Sequence, residues 1–204
     1  MKPLKIIFLI VVVITNSAFT FPSSIGDGYE IGDKAADFKL KNIDGKTVSL
    51  SDYKDAKGFL VVFTCNTCPY ANAYEERIIA LDKKYKLKGV PVIAINPNNP
   101  SKSPEESFEQ MQERAANKGY TFPYLVDKGQ NISPLYGAQR TPHCFLLEKT
   151  SNGNIVKYIG AIDDNYQDEA AVETAYVANA IDAMLVGEEI QIKNTKAIGC
   201  SIKL

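Results

Sequence analysis

Phe63-Thr64-Cys65-Asn66-Thr67-Cys68-Pro69-Tyr70 decides how this chain is read. The apolar run Phe59-Leu60-Val61-Val62-Phe63 leads into it, and Tyr74, Ile78, Leu81 and Tyr85 follow it at helical intervals. An unbroken apolar run of this length suits a strand covered on both faces, and the later spacing is the stripe of an amphipathic helix. Two cysteines therefore fall between a strand end and a helix start. There, unpaired backbone N–H groups and the positive end of the helix dipole favour a thiolate at Cys65. A C-x-x-C in a strand–helix unit is a redox signature; half a zinc site or two buried core thiols are the other states the same spacing allows.

Toward the N-terminus, Phe38 and Leu40 alternate with Lys39 and Lys41, Asp44-Gly45 marks a turn, and Val48 and Leu50 resume the alternation. Residues 37–50 thus read as a β-hairpin with one buried face. Toward the C-terminus, Gly89 ends the helix and Val90-Pro91-Val92-Ile93-Ala94-Ile95 forms a second buried strand. Ser103-Pro104-Glu105-Glu106 has the pattern of a capping box, opening a helix that carries Phe108, Met111 and Ala115 inward as core residues. Tyr124-Leu125-Val126 is a third strand, residues 131–136 a short helix, and residues 145–147 and 155–159 a second hairpin across Ser151-Asn152-Gly153. A long Ala-rich helix is expected over residues 168–186, with Val172, Tyr176, Ile181 and Leu185 inward, followed by a tail without helical period. This order predicts an α/β fold: a mixed central β-sheet flanked by helices, with an N-terminal β-hairpin.

A chain of 204 residues is of one-domain size and buries a sizeable core without disulfide staples, so each of its four cysteines can be asked what else it does. Lys2 and Lys5 precede the apolar run of residues 6–14 and a small, polar stretch, the form of a secretory signal peptide cleaved near Ala18 or Thr20. An uncleaved N-terminal anchor is the alternative. The expected organisation is residues 1–20 as signal peptide, 21–34 as linker, and 35–204 as one domain including the tail. The protein is then exported, to the periplasm or the extracellular space. Net charge is −1, or −3 without Lys2 and Lys5, which gives no global attraction for nucleic acid or anionic lipid. Membrane contact is expected only where the signal segment stays attached. Lys83, Lys84, Lys86 and Lys88 lie at a helix end, where cations complement the dipole.

Taken together, these residues resemble the thioredoxin superfamily, and within it the redoxin (AhpC/TSA-like) branch of peroxiredoxin-like and exported thioredoxin-like proteins. The resemblance rests on Ala36-Asp37-Phe38, on Cys65-Asn66-Thr67-Cys68-Pro69-Tyr70, on the Thr141-Pro142 step and on Ile162-Asp163-Asp164, in that order. The ending Gly199-Cys200-Ser201-Ile202-Lys203 is similar to that of a bacterial peroxiredoxin-like group. The resemblance implies a thioredoxin-like fold and thiol-disulfide exchange without a cofactor. Cys65 is implied as the exposed nucleophile and Cys68 as the thiol that resolves the mixed disulfide. Asn66, Thr67 and Pro69 support them, and Thr141-Pro142 is implied to be a cis peptide beside the sulfurs.

Peroxiredoxins place their peroxide-reducing cysteine at the position matching Cys68, three residues after a threonine and seven after a proline. Cys65 and Val61 stand there instead. Peroxide reduction at Cys68 is accordingly the alternative activity, with Arg140 as the group that would polarise the peroxide. His143, the one histidine, could carry protons or join Cys65 and Cys68 as a third copper or zinc ligand; packing is its plain alternative. Cys144 reads as a small core side chain, and Cys200 as a third redox thiol, as half of a Cys144–Cys200 disulfide, or as a free thiol. Partners are protein or small-molecule disulfides. A reductase of this kind also needs an upstream membrane or periplasmic electron donor, and the direction of electron flow depends on a potential the sequence does not set.

Overall fold

The computed structural model describes residues 28–204; the expected signal peptide lies outside the described residues. In chain order the strands are β1 (Lys34–Ala35), β2 (Leu40–Asn42), β3 (Thr47–Val48), β4 (Gly58–Phe63), β5 (Val92–Asn96), β6 (Tyr124–Val126), β7 (Arg140–Thr141), β8 (His143–Thr150), β9 (Gly153–Gly160) and β10 (Cys200–Ser201). The α-helices are α1 (Pro69–Tyr85), α2 (Phe108–Lys118), α3 (Ile132–Tyr136) and α4 (Tyr176–Val186). Eight strands form one sheet in the order β1-β9-β8-β4-β5-β6-β2-β3, with β4, β5 and β6 parallel and the rest antiparallel. β10 pairs with β7 in a separate two-stranded ribbon.

The centre of the sheet follows from the apolar runs. Every residue of β4 and β5 is buried, and alternate side chains serve opposite faces. Leu60 and Val62 join Tyr74, Ile78, Met111 and Ile181 on one face, while Phe59, Val61 and Phe63 join Ile93, Tyr136 and Phe145 on the other. This fixes β4 rigidly, and with it the place where the cysteines begin. Buried Arg77 of α1 donates to Asp163 at 2.7 Å, and Tyr74 donates to the same carboxylate at 2.8 Å, so α1 is also tied to the segment after β9.

The expected α/β architecture is present, with local differences. The stretch read as a linker belongs to the folded unit from Gly28 onward. Tyr29 packs edge-on against Tyr136 with ring centroids 4.9 Å apart, and β1 pairs with β9. The capping box does not form. Residues Pro104–Glu106 make a 3-10 turn, and α2 starts later, with Ser107 as its cap. The reason is that Glu106 faces the cysteine loop, where stronger donors meet it. The long helix shrinks to α4, with Val177, Ala180, Ile181 and Met184 as its buried stripe. Upstream, the carboxylates of Asp164 and Asp168 accept from the backbone N–H groups of Glu173, Thr174 and Ala170, and this local bonding competes with helix. Among the described residues no helix is long and apolar enough to cross a membrane.

Candidate functional site

At the end of β4 the backbone makes one further sheet bond, from Thr64 N–H to Ile95 O at 2.9 Å, and then leaves the sheet. Residues 65–67 form the loop, and α1 begins with Pro69, whose missing N–H costs nothing in the first turn. The N-cap is consequently Cys68, not Cys65. Both sulfurs gather at one residue of the next segment, Thr141. Its hydroxyl lies 3.1 Å from Cys65 Sγ and its carbonyl oxygen 3.0 Å from Cys68 Sγ. The Thr141-Pro142 peptide is cis, as the resemblance implied.

A carboxylate holds the loop from behind. Glu106 is only 2% exposed and takes five donors. Its Oε2 accepts from Asn66 N–H at 2.8 Å and from Asn96 Nδ2 at 2.9 Å; its Oε1 accepts from the Thr67 hydroxyl at 2.6 Å, Thr67 N–H at 3.1 Å and Asn98 Nδ2 at 3.3 Å. Asn66 is further held through its side chain, donating to Glu105 O at 2.8 Å and accepting from the Tyr124 hydroxyl at 3.0 Å. Burial pushes the Glu106 pKa up, but the hydrogen bonds led by Thr67 and Asn66 outweigh it and leave the carboxyl below its ordinary range. Asn66 and Thr67 were expected beside the sulfurs. Glu106, Asn96, Asn98 and Tyr124 were not, and the one sequence cue was the pair of glutamates after Ser103-Pro104.

The tail closes over the sulfurs. β10 runs antiparallel to β7 with Cys200 opposite Thr141, and the Cys200 N–H points at Cys68 Sγ at 3.3 Å. A Cβ on Gly199 would collide with the Thr141 carbonyl, so only glycine lets the tail come this close. Cys65 is then 3% exposed and Cys68 2%. Arg140 donates to Gly199 O at 3.0 Å, so it braces the tail and makes no hydrogen bond to either sulfur of the pair.

The electrostatics separate the two cysteines. The neighbouring Cys65 thiol favours charge on Cys68, opposed by burial and aided by the Cys200 thiol and by the backbone N–H groups of Ala71 and Cys200. Cys68 is therefore lowered well below the ordinary thiol range. Cys65 is raised, because its proton is shared with Cys68, because it is buried, and because the Glu106 carboxylate is near. Charge in the pair is thus favoured at Cys68, whereas the sequence reading placed it at Cys65.

His143 and Cys144 lie elsewhere. His143 sits opposite Phe63 with its ring 4.7 Å from that of Phe145, and burial lowers its pKa to about 4. Among the described residues no three His, Cys, Asp or Glu side chains are grouped to hold a metal ion, which corrects the Cys65, Cys68 and His143 ligand set. Cys144 is wholly buried on the helix-covered face of β8, in a different cluster from Cys200. A Cys144–Cys200 disulfide is absent; all four thiols are free.

The sequence profile of the AhpC/TSA family matches residues 31–159. The chain belongs to that family. Relatives with which it shares sequence include the thiol-disulfide oxidoreductase ResA of Halalkalibacterium halodurans, 30% identical over 126 residues, 62% of this chain and 66% of that protein. The thiol-disulfide oxidoreductase ResA of Bacillus anthracis is 29% identical over 165 residues, 78% of this chain and 90% of that protein. Of the solved structures, an uncharacterized conserved protein from Geobacillus kaustophilus superposes with a TM-score of 0.80 at 33% identity, covering 88% of this chain and 94% of that one. The fold is thioredoxin-like, as the mixed sheet flanked by helices already indicated.

Proposed function

We propose that this protein is a thiol-disulfide oxidoreductase that cycles Cys65 and Cys68 between dithiol and disulfide. The observation that supports the reading is the convergence of Cys65 Sγ and Cys68 Sγ on the hydroxyl and the carbonyl oxygen of Thr141, at 3.1 and 3.0 Å, where β4 gives way to α1. In the forward direction the Cys68 thiolate attacks a substrate disulfide RSSR′, forms a Cys68–SR bond and expels R′S⁻, which takes a proton from water. The Cys65 thiol then attacks Cys68 Sγ, breaks the bond to SR and passes its proton to the leaving thiolate. One substrate disulfide is reduced and one Cys65–Cys68 disulfide is made. Glu106 holds Asn66 and Thr67, and so fixes the loop between the two cysteines. Protein or small-molecule disulfides are the substrate class, and the reverse direction uses the same two steps.

The test is turnover of a chromogenic aryl disulfide with peptide mapping of the product. Cys68→Ser is expected to lose exchange by about a thousandfold or more, on the order of 4 kcal/mol of barrier, while wild type accumulates the Cys65–Cys68 disulfide. Exchange at the wild-type rate in Cys68→Ser refutes the assignment. A second reading is supported by the same Cys68 thiolate: attack on a hydroperoxide ROOH, giving a Cys68 sulfenic acid and ROH. It predicts peroxide consumption that survives Cys65→Ser and disappears in Cys68→Ser. We also infer that the chemistry takes place outside the cytoplasm, from Lys2, Lys5 and the apolar run after them. Cell fractionation with N-terminal sequencing checks this, and a cytoplasmic chain starting at Met1 refutes it.

A further inference from the structure

We propose that Cys200 is a third catalytic cysteine, which attacks the sulfur of Cys68 and forms a Cys68–Cys200 disulfide within the chain. The proposal rests on the dithiol reading and extends it to a residue beyond the C-x-x-C.

The seating of the tail is the first argument. An extended segment carrying a cysteine lies antiparallel to the residue just before Pro142, with Cys200 opposite Thr141 and Ser201 opposite Arg140. This register sets a cysteine of the chain itself beside Cys68, with the Cys200 N–H 3.3 Å from Cys68 Sγ. The placement is built: Asn99 N–H donates to Lys203 O at 2.8 Å, Lys203 N–H to Asn98 Oδ1 at 2.8 Å, and Lys203 Nζ to Ser103 Oγ at 3.1 Å. Those anchors lie in the same segment that supplies Asn98 and Glu106, so the tail and the cysteine loop share one support.

The second argument is the order of the sulfurs. Cys68 Sγ accepts from the Cys200 N–H at 3.3 Å and packs in one cluster with Cys65 and Cys200, so both thiols are its neighbours. Burial and the neighbouring Cys68 thiolate push the Cys200 thiol up to about 11, while Lys203 and Arg140 pull it down. Once Cys68 is bonded to substrate its charge is gone. The two cations remain, and Cys200 becomes easier to ionise at the step where a nucleophile is required.

The chemistry balances. Cys68 thiolate attacks RSSR′, forms Cys68–SR and releases R′S⁻, which is protonated by water. Cys200 attacks Cys68 Sγ, breaks the bond to SR and gives its proton to the departing RS⁻. Cys65 then attacks Cys68 Sγ, returns Cys200 as a thiol with the Cys65 proton, and leaves the Cys65–Cys68 disulfide. The substrate disulfide is the oxidant, two protein thiols supply the electrons, and the third thiol is regenerated.

The experiment uses the folded full chain and a chromogenic aryl disulfide in slight excess. Cys65→Ser is expected to release two equivalents of aryl thiolate per chain, the first from attack by Cys68 and the second from resolution by Cys200, and to yield the linked Cys68–Cys200 peptide. Cys65/Cys200 double replacement by serine is expected to release one and to keep the aryl group on Cys68. Where Cys65→Ser does not fold, Cys65→Ala repeats the measurement, and wild-type protein acid-quenched during the reaction is expected to contain the same linked peptide as a transient. Release of one equivalent by the folded single variant, with the aryl group retained on Cys68, overturns the proposal, as does the absence of the linked peptide from both variant and wild type. The two readings fail separately. Wild type releasing no thiolate overturns the dithiol reading, whereas wild type releasing two and Cys65→Ser releasing one overturns the role of Cys200 alone.

Discussion

Glu106→Gln keeps the outline of the side chain and removes one of its two accepting oxygens. Five donors converge on the carboxylate, two on Oε2 and three on Oε1. Whichever way the glutamine amide turns, its NH2 faces at least two of them. Asn96 cannot turn its amide to compensate, because its Oδ1 already accepts from Asn98 N–H at 3.0 Å. One backbone N–H, of Asn66 or Thr67, is therefore left unmatched in a buried place. An unsatisfied buried donor costs about 1–3 kcal/mol, and the loss of charge-assisted bonds adds to it, so we expect about 3 kcal/mol of destabilisation. For a domain of this size that is roughly 6–12 °C in Tm. Urea unfolding at neutral pH measures it.

The pH dependence gives a second readout with a definite sign. Glu106 is depressed below the ordinary carboxylate range, so its contribution is fully present above the unfolded value of about 4.3 and is lost as pH falls through the folded one. The gap between wild type and variant should be widest at neutral pH and narrow below about pH 4. The variant should also ionise Cys65 more readily, since the carboxylate is one of the groups that raise it. A stability difference under about 0.5 kcal/mol, or one that does not change with pH, would refute the reasoning.

Asp163→Asn leaves the buried Arg77 guanidinium without its charge partner; about 3 kcal/mol of stability is expected to go, the lower end for a broken buried pair because Asn165 O still accepts from Arg77 at 2.6 Å. Denaturant melts check it, and an unchanged midpoint would be inconsistent with a buried pair. Burial pushes His143 down to about 4, below its unfolded value of about 6.5, so the unfolded chain binds the proton first and stability falls as pH drops between the two. His143→Phe should remove about 2 kcal/mol of that acid-side loss, read as a flatter dependence of Tm on pH from about 6.5 to 4. Gly199→Ala should push β10 away from Thr141; if overpacking costs about 1.4 kcal/mol or more, alkylation of Cys68 speeds up by about tenfold. An unaltered rate would mean the tail does not limit access to the sulfurs.

How much of this was legible in the sequence varied with the range of the forces involved. β4 was legible because every side chain of residues 59–63 is apolar and both faces of the strand are covered. Pro69 and the stripe through Tyr74, Ile78 and Tyr85 located α1 for reasons that act within a few residues. The cis Thr141-Pro142 peptide came from the resemblance to a family and from nothing local. Glu106 was misread because Ser103-Pro104-Glu105-Glu106 satisfies a local capping rule, while its actual partners Asn66 and Thr67 lie 40 and 39 residues away. Cys200 defeated pattern reading for a similar reason. A two-residue strand has no period to show, and its register is set by Thr141 across the ribbon. The helix expected over residues 168–186 was too long because Asp164 and Asp168 bond to nearby backbone instead.

The complete burial of Cys144 separates one thiol from the three that gather at the site. No rearrangement of the tail or loop brings it within reach of a reagent, because its strand lies between β4 and β9 under helical cover. Modification of Cys144 therefore requires the central sheet to come apart. Its labelling rate reports on global opening, and measured beside labelling of Cys68 in the same sample it separates motion of the tail from unfolding of the domain. The chain carries an internal clock for its own stability, readable by mass spectrometry without any added probe residue.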